Sequence, residues 1–250
     1  MFTHYRTKGI IIKKVDRNEA DQLFTVYTED FGKIDVLGRG IRKTASKLRS
    51  GIETIYFSEI EFIQGKNYKT LTDAILIDNF WNLRKDLERL ALALKISENL
   101  DNLIHNQETD LKIWNLVTRT FQELNNPNFK FSIYNLQYYY FFWNLLSVLG
   151  YRPELYNCPV CRQKLKPEKI YFNQEEGGVI CRNCFLKKKE SGVEVELNAI
   201  KVLRIILDKK KEIIYKLKIE DNSLNSLRDL SQKYLSFLLD RDIKSDILKV

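Results

Sequence analysis

Several things are scarce in this chain of 250 residues, which has only 10 glycines, 4 prolines, 4 cysteines and 2 histidines. With so few glycines and prolines and no low-complexity tract, the chain is expected to be ordered throughout. The two histidines, His4 and His105, form no H-x-x-x-H or H-x-E pattern, and no G-x-S-x-G nucleophile elbow occurs. Gly38 and Gly40 stand close together, but the G-x-x-x-x-G-K-[ST] order of a phosphate-cradling loop is missing. No pair of carboxylates stands out from ordinary surface usage, so the chain is not expected to be an enzyme. No apolar run reaches the roughly 18–20 residues of a membrane span. The short apolar run Gly9–Ile12 ends at Lys13 and Lys14 and does not resemble a secretory leader. A soluble, intracellular protein with reduced thiols is expected. Acidic residues are outnumbered, 33 against 41 Lys and Arg, for a net charge of +8 and a pI near 9.1. That balance favours a polyanionic partner, nucleic acid or an anionic membrane surface.

The cysteines that are present are grouped. Cys158-Pro159-Val160-Cys161 and Cys181-Arg182-Asn183-Cys184 are two C-x-x-C pairs with nineteen residues between them. Each such turn points two thiolates at one ion, and two of them complete the four-sulfur tetrahedron that zinc prefers. Two disulfides, or four unrelated core cysteines, are the alternatives. Adjacent C-x-x-C turns make poor disulfide geometry, and nothing indicates an oxidising compartment. One structural zinc per chain is therefore expected, held by Cys158, Cys161, Cys181 and Cys184. A closed four-thiolate site has no position for water or substrate.

The first eighty residues carry β-branched and aromatic runs. They are Ile10–Ile12, Leu23–Tyr27, Ile34–Leu37, Ile55–Ile63 and Leu71–Ile77. Glu29-Asp30-Phe31-Gly32 and Gly65-Lys66-Asn67 mark tight turns between them. Five strands in this length suit a small Greek-key barrel, with the oligonucleotide-binding OB-fold as the basic example and an SH3-like barrel as the alternative. The longest connection, Gly38–Gly51, holds five cations, Arg39, Arg42, Lys43, Lys47 and Arg49, and no Asp or Glu occurs from Val36 to Ile52. It reads either as a mobile positive finger for phosphates or as a solvated hairpin loop. Tyr27, Tyr56, Phe57 and Tyr68 are aromatics that could stack on bases, although most strand aromatics belong to a core.

From Leu83 the period becomes helical. Leu83, Leu87, Leu90 and Leu94 form one stripe; Leu111, Trp114, Val117, Phe121 and Leu124 form a second. Ile133–Leu149 is apolar nearly all round and predicts the central helix of a bundle, ended by Gly150 and Pro153. Within the cysteine segment, Lys169–Asn173, Gly177-Gly178 and Val179-Ile180 predict strand, turn, strand. The runs Lys187–Lys189 and Lys209–Lys211 read as solvated faces. Two last helices, carrying Ile200, Leu203 and Leu207, then Leu224, Leu227, Leu230, Tyr234 and Leu238, are expected to return to the bundle. The resulting organisation is α+β and multi-modular. It comprises an OB-fold barrel over 1–80, a helical domain over 81–153, a four-cysteine zinc ribbon-like module inserted at 154–192, and the rest of the helical domain at 193–250.

Several segments, in this order, resemble the bacterial RecO family of DNA repair proteins. They are the Gly9–Lys13 run, Thr28–Ile34, Gly38–Lys43 with Ser46-Lys47-Leu48, and Leu149-Gly150-Tyr151-Arg152-Pro153. Cys158–Cys161, Gly177–Cys184, Tyr234-Leu235 and Ile243-Lys244-Ser245 complete the set. One departure is that Arg162 follows the second cysteine, where such knuckles commonly carry glycine. The resemblance implies a cytoplasmic, nucleoid-associated bacterial recombination mediator that hydrolyses no nucleotide. It would bind single- and double-stranded DNA and anneal complementary strands. With RecR it would help load RecA onto strands coated by single-stranded DNA-binding protein, whose acidic C-terminal tail it would contact. DNA binding is carried over to Arg39, Arg42, Lys43, Lys47 and Arg49. The alternatives are a zinc-ribbon protein acting on RNA or in transcription, and a scaffold binding acidic proteins.

Overall fold

A computed structural model describes residues 3–65, 68–105, 107, 109–128, 134–188, 191–208 and 219–240. The chain divides into two compact units, Met1–Tyr134 and Asn135–Val250. The expected Lys66-Asn67 turn tip, Lys189, the Lys209–Lys211 run and the Ile243–Ser245 segment lie outside the described residues.

The first unit is built on a closed barrel of β1 (His4–Arg17), β2 (Asp21–Thr28), β3 (Gly32–Gly38), β4 (Phe57–Gln64) and β5 (Lys69–Asp78). The strand order is β1-β2-β3-β5-β4, with β4 closing back onto β1. All neighbours are antiparallel except β3 and β5, which pair in parallel at Val36 with Lys69 and Leu37 with Thr70. Closing the sheet this way removes exposed edges and gives the Greek-key order of an OB-fold. Inward residues fill it: Ile11, Phe24, Val26, Ile34, Val36, Ile60 and Phe62 are all buried.

Ile10, Ile11 and Ile12 are buried in succession, where simple alternation would expose one of them. A bulge between Ile11 and Lys13 bends β1 as it passes from β4 to β2, and helix α2 covers its outer face. Strand β4 begins at Phe57, two residues later than the expected Ile55. Ile55 takes a left-handed φ of 65°, and its N–H donates to the Ile11 carbonyl at 2.8 Å.

Helices α1 (Trp81–Lys85), α2 (Leu87–Leu103) and α3 (Leu111–Asn125) belong to this unit. The stripe Leu83, Leu87, Leu90, Leu94 is not one buried face. Asp86 interrupts it, because its carboxylate accepts from the Glu88 and Arg89 N–H groups and starts α2 afresh. Leu83 is buried in α1, whereas Leu87 is 81% and Leu94 46% exposed. The buried face of α2 is Leu92, Ala93, Ile96 and Leu100. Trp114, Val117, Phe121 and Leu124 are buried on α3 as the spacing predicts, but Leu111 is exposed. The helices also cap one another. Asn125 Oδ1 accepts from the Asn82 and Leu83 N–H groups at the start of α1. The buried Arg89 guanidinium donates to the Leu124 and Asn126 carbonyls at the end of α3.

In the second unit, α4 (Tyr134–Val148) is buried nearly all round, as its apolar composition predicts. Gly150, at φ 92°, ends it. The Tyr151 N–H donates to the Leu146 carbonyl and the Gly150 N–H to Ser147, a Schellman pattern. Helices α6 (Leu197–Leu207) and α7 (Asp221–Leu238) pack together. The Trp143 ring of α4 stacks on Tyr234 of α7 at 5.6 Å, and its indole N–H donates to Ser231.

The cysteine segment forms β6 (Ile170–Asn173), β7 (Gly178–Cys181), α5 (Arg182–Lys187) and β8 (Val193–Val195). The sheet order is β7-β6-β8, so a third strand joins the expected hairpin. Its glycine turn serves two different needs. Gly177 has φ 64°, and a Cβ on Gly178 would lie 2.5 Å from the Glu154 carbonyl oxygen.

Candidate nucleic-acid interface and metal centre

The connection from β3 to β4 carries the five cations, and all five are exposed. It is not a free finger. Its first part is tied to the β1–β2 turn. The Gly40 N–H donates to Asp21 Oδ1 at 2.7 Å and the Arg42 N–H to the Ala20 carbonyl at 3.0 Å. Its apolar residues enter the barrel: Ile41 and Ile52 are buried in the core and Leu48 packs against it. A 3-10 turn, Lys47–Gly51, lies against β5 so closely that a Cβ on Gly51 would be 1.9 Å from the Ala74 carbonyl oxygen. The Ser58 hydroxyl donates to the Gly51 carbonyl and fixes the same contact. Isolated apolar residues in a polar loop gave little hint of this anchoring, which depends on the barrel they plug.

Anchoring through backbone and apolar side chains leaves the cations directed to solvent. Arg42 is paired with Asp16 at 3.4 Å, but Arg39, Lys43, Lys47 and Arg49 form no ion pair among the described residues. Arg17 was hidden in the sequence among Asp16, Glu19 and Asp21. It is exposed at the end of β1, in the turn against which the connection is tied. The aromatics divide differently. Tyr27 is buried and lies 6.2 Å from Trp114, and Phe57 is at the same distance from that ring. Tyr56 is half-buried beneath the Arg84 guanidinium. Only Tyr68 of the four is exposed, so Tyr27 belongs to the core.

Gly51→Ala is expected to displace the 3-10 turn from β5, since backbone atoms cannot yield to a Cβ at that distance. A loss of about 1–3 kcal/mol, read from the denaturant midpoint of unfolding, is the ordinary scale of such overpacking. An unchanged midpoint would show that the turn does not rest on β5.

In the second unit the cysteine sulfurs meet. The four Sγ atoms lie within 4.8 Å of one another, with Cys161 and Cys181 3.9 Å apart. None is in a disulfide. A zinc–sulfur distance of about 2.3 Å implies tetrahedral edges of about 3.8 Å, the scale of this cluster. Cys158 and Cys184 face the module's small core beside Tyr171 and Ile180, while Cys161 is exposed and Cys181 half-buried. Phe185 stacks on Tyr171 at 3.6 Å and closes that core.

Burial pushes the Cys158 thiol up, but N–H groups of Cys161, Cys181 and Val160 outweigh it and bring it down to about 7. Burial, together with the neighbouring sulfurs, pushes Cys184 up to about 12. Four converging sulfurs, none of them in a disulfide, fit a divalent soft-ligand ion such as zinc.

Arg162 resolves the missing glycine of the first knuckle. It adopts φ 60° itself, its N–H donates to the Cys158 carbonyl at 2.7 Å, and the Cys158 N–H donates to Gln163. The turn is thus retained with a side chain in a conformation that costs roughly 1–2 kcal/mol for L residues. Arg162→Gly is expected to stabilise the module by about 1 kcal/mol, whereas Arg162→Ala, which keeps the Cβ, should not. Paired thermal unfolding curves distinguish them, and equal midpoints for both variants would refute the strain.

The segment leading into the module is fixed to α6. The Arg204 guanidinium donates to the Leu155 carbonyl and covers the Tyr156 ring, whose hydroxyl donates to Asp208. Arg152 reaches the Leu207 carbonyl. Among the described residues no helix is long and apolar enough to cross a membrane.

Two family models cover most of the chain. One described as "Recombination protein O N terminal" matches residues 1–80 and one described as "Recombination protein O C terminal" matches 84–247. A DNA repair protein RecO of Dehalococcoides mccartyi is 33% identical over 241 residues, covering 96% of this chain and 93% of the relative. The RecO of Roseiflexus sp. is 31% identical over 246 residues, covering 96% and 83% respectively. That of Acetivibrio thermocellus is 27% identical over 251 residues, covering 98% and 96%. With an OB barrel and a four-cysteine cluster matched from end to end in this way, the chain belongs to the RecO family of DNA repair proteins.

Proposed function

We propose that this chain is a recombination mediator that binds single- and double-stranded DNA and anneals complementary strands in the bacterial cytoplasm. With RecR it helps load RecA onto strands coated by single-stranded DNA-binding protein. The observation that carries this reading is the end-to-end family match on a barrel whose β3–β4 connection turns unpaired cations to solvent. Lys and Arg there pair with phosphates, and the small residues Gly40, Thr44 and Ser46 allow close approach of the backbone. Contacts of this kind position a strand without reading its sequence, as annealing of arbitrary complements requires. One structural zinc on Cys158, Cys161, Cys181 and Cys184 holds the module of the second unit together. No phosphate-cradling loop occurs in the sequence, so the activity needs no nucleotide.

Coated strands supply the test. A mediator of this kind recognises the acidic tail of the coating protein through its own positive surface, a contact that salt weakens. Annealing of coated complementary strands without ATP is expected, and it should fall when the coating protein lacks its tail. Equal annealing with and without the tail would remove the tail step. Absence of annealing on both naked and coated strands would overturn the mediator reading. In that case an RNA-directed function is tested by competition between RNA and DNA.

A further inference from the structure

We infer that the zinc module carries a second phosphate-binding surface, separate from the barrel connection, that holds the second nucleic-acid strand. The inference rests on the nucleic-acid reading above and adds a site to it. On the module, Lys164, Lys166, Lys169 and Arg182 line a shallow cleft of about 130 Å³ together with the amides of Gln163 and Asn183. All six side chains are exposed. Lys169 is paired with Glu194 at 3.4 Å, but Lys164, Lys166 and Arg182 have no carboxylate partner among the described residues. Glu168 is the one acidic residue lining the cleft.

The cations come from two chain segments. The strand pairing of β6 with β7 sets Ile170 opposite Cys181, so the cleft's Lys169 and Arg182 flank the same rung of the sheet. Metal ligation at Cys181 and Cys161 would fix the two sides against each other. The chemistry also selects among polyanions. A protein tail is usually anchored by an apolar side chain in a pocket, whereas the cleft offers only the buried Ile170 and the half-buried ligand Cys181 beside its polar residues. Lys and Arg heads with two side-chain amides suit phosphodiester oxygens.

The function gains something specific from this. Annealing brings two strands together, and a protein with one phosphate-binding surface in each compact unit holds both at once, raising the effective concentration of one for the other. The barrel connection lies in the unit 1–134 and the cleft in the unit 135–250.

The experiment compares the full chain with a Lys164→Ala, Lys166→Ala, Arg182→Ala variant. Because Arg182 adjoins a cysteine, a second variant, Lys164→Glu with Lys166→Glu, leaves that neighbour intact, and metal content per chain is measured for both. Anisotropy reads binding of one labelled strand, and energy transfer between two labelled strands reads bridging and annealing. Both variants are expected to bind one strand within about three-fold of the parent, yet to bridge and anneal about ten-fold more slowly. Annealing at the parent rate in metal-replete variants would overturn the inference while leaving the function standing. So would loss of one-strand binding as large as the annealing loss, because the cleft would then be the primary site. Loss only of binding to an acidic peptide would assign the surface to a protein partner and overturn it too. If the parent itself binds no DNA, the nucleic-acid reading fails first.

Discussion

Replacing Cys184 by Ser is expected to yield a chain that no longer holds one equivalent of metal and whose second unit unfolds or becomes insoluble. The reason lies in the size of the module. Its buried cluster consists of Cys158, Tyr171, Ile180 and Cys184, with Leu165 and Phe185 packed against it. So few apolar residues cannot offset the backbone entropy of ordering a segment of this length. Structural zinc, by contrast, contributes on the order of 10 kcal/mol to small folds that are built around it. Cys184 is also the most informative ligand to remove, because it is buried and cannot be replaced at the site by water. Cys161→Ser, at an exposed position, should lose metal with a milder structural effect. Elemental analysis together with circular dichroism reads both quantities on the same sample. A well-folded, metal-free parent protein would overturn the structural-zinc assignment outright. The loss should also extend beyond the module, since the Arg204 contact to Leu155 and the Tyr156 contact to Asp208 join its leading segment to α6.

How much of this was legible in the sequence varied with the range of the interaction involved. The cysteine cluster was legible because each C-x-x-C turn is a local constraint, and two turns suffice to bring four sulfurs together. Its asymmetry was not, since the burial of Cys158 against the exposure of Cys161 is decided by Tyr171 and Phe185 across the sheet. The barrel strands were legible from β-branched runs and turn residues. The strand order rests on a parallel pairing of β3 with β5 across thirty residues of chain, which no local signal encodes. On α2 the periodicity was real but pointed to the wrong face. Leu87, Leu90 and Leu94 repeat as regularly as Leu92, Ile96 and Leu100, and the choice is made by the Asp86 cap and by packing against β1. Charge in the β3–β4 connection was plain, whereas its attachment was not. Ile41, Leu48 and Ile52 look like loop residues until the barrel they enter is present.

That attachment sharpens the remaining prediction. Replacing Lys43, Lys47 and Arg49 together by Ala is expected to weaken single-strand binding about ten- to hundred-fold at moderate salt, at every sequence alike. It should also lower the log-log salt slope by about 2, since each phosphate contact to a single strand releases roughly 0.7 counterion. Stability should hardly change, because what holds the connection is elsewhere. Its anchors are the Gly40 N–H on Asp21, the Arg42 N–H on Ala20, and the buried Ile41 and Ile52. Arg42→Ala should cost less than any one of the others, because a phosphate must first displace Asp16 from that guanidinium. A triple variant with parental affinity and slope would make the connection a solvated loop and move the strand to another surface. A triple variant that unfolds would instead show that these side chains hold the connection in place, contrary to the anchoring by backbone and apolar residues.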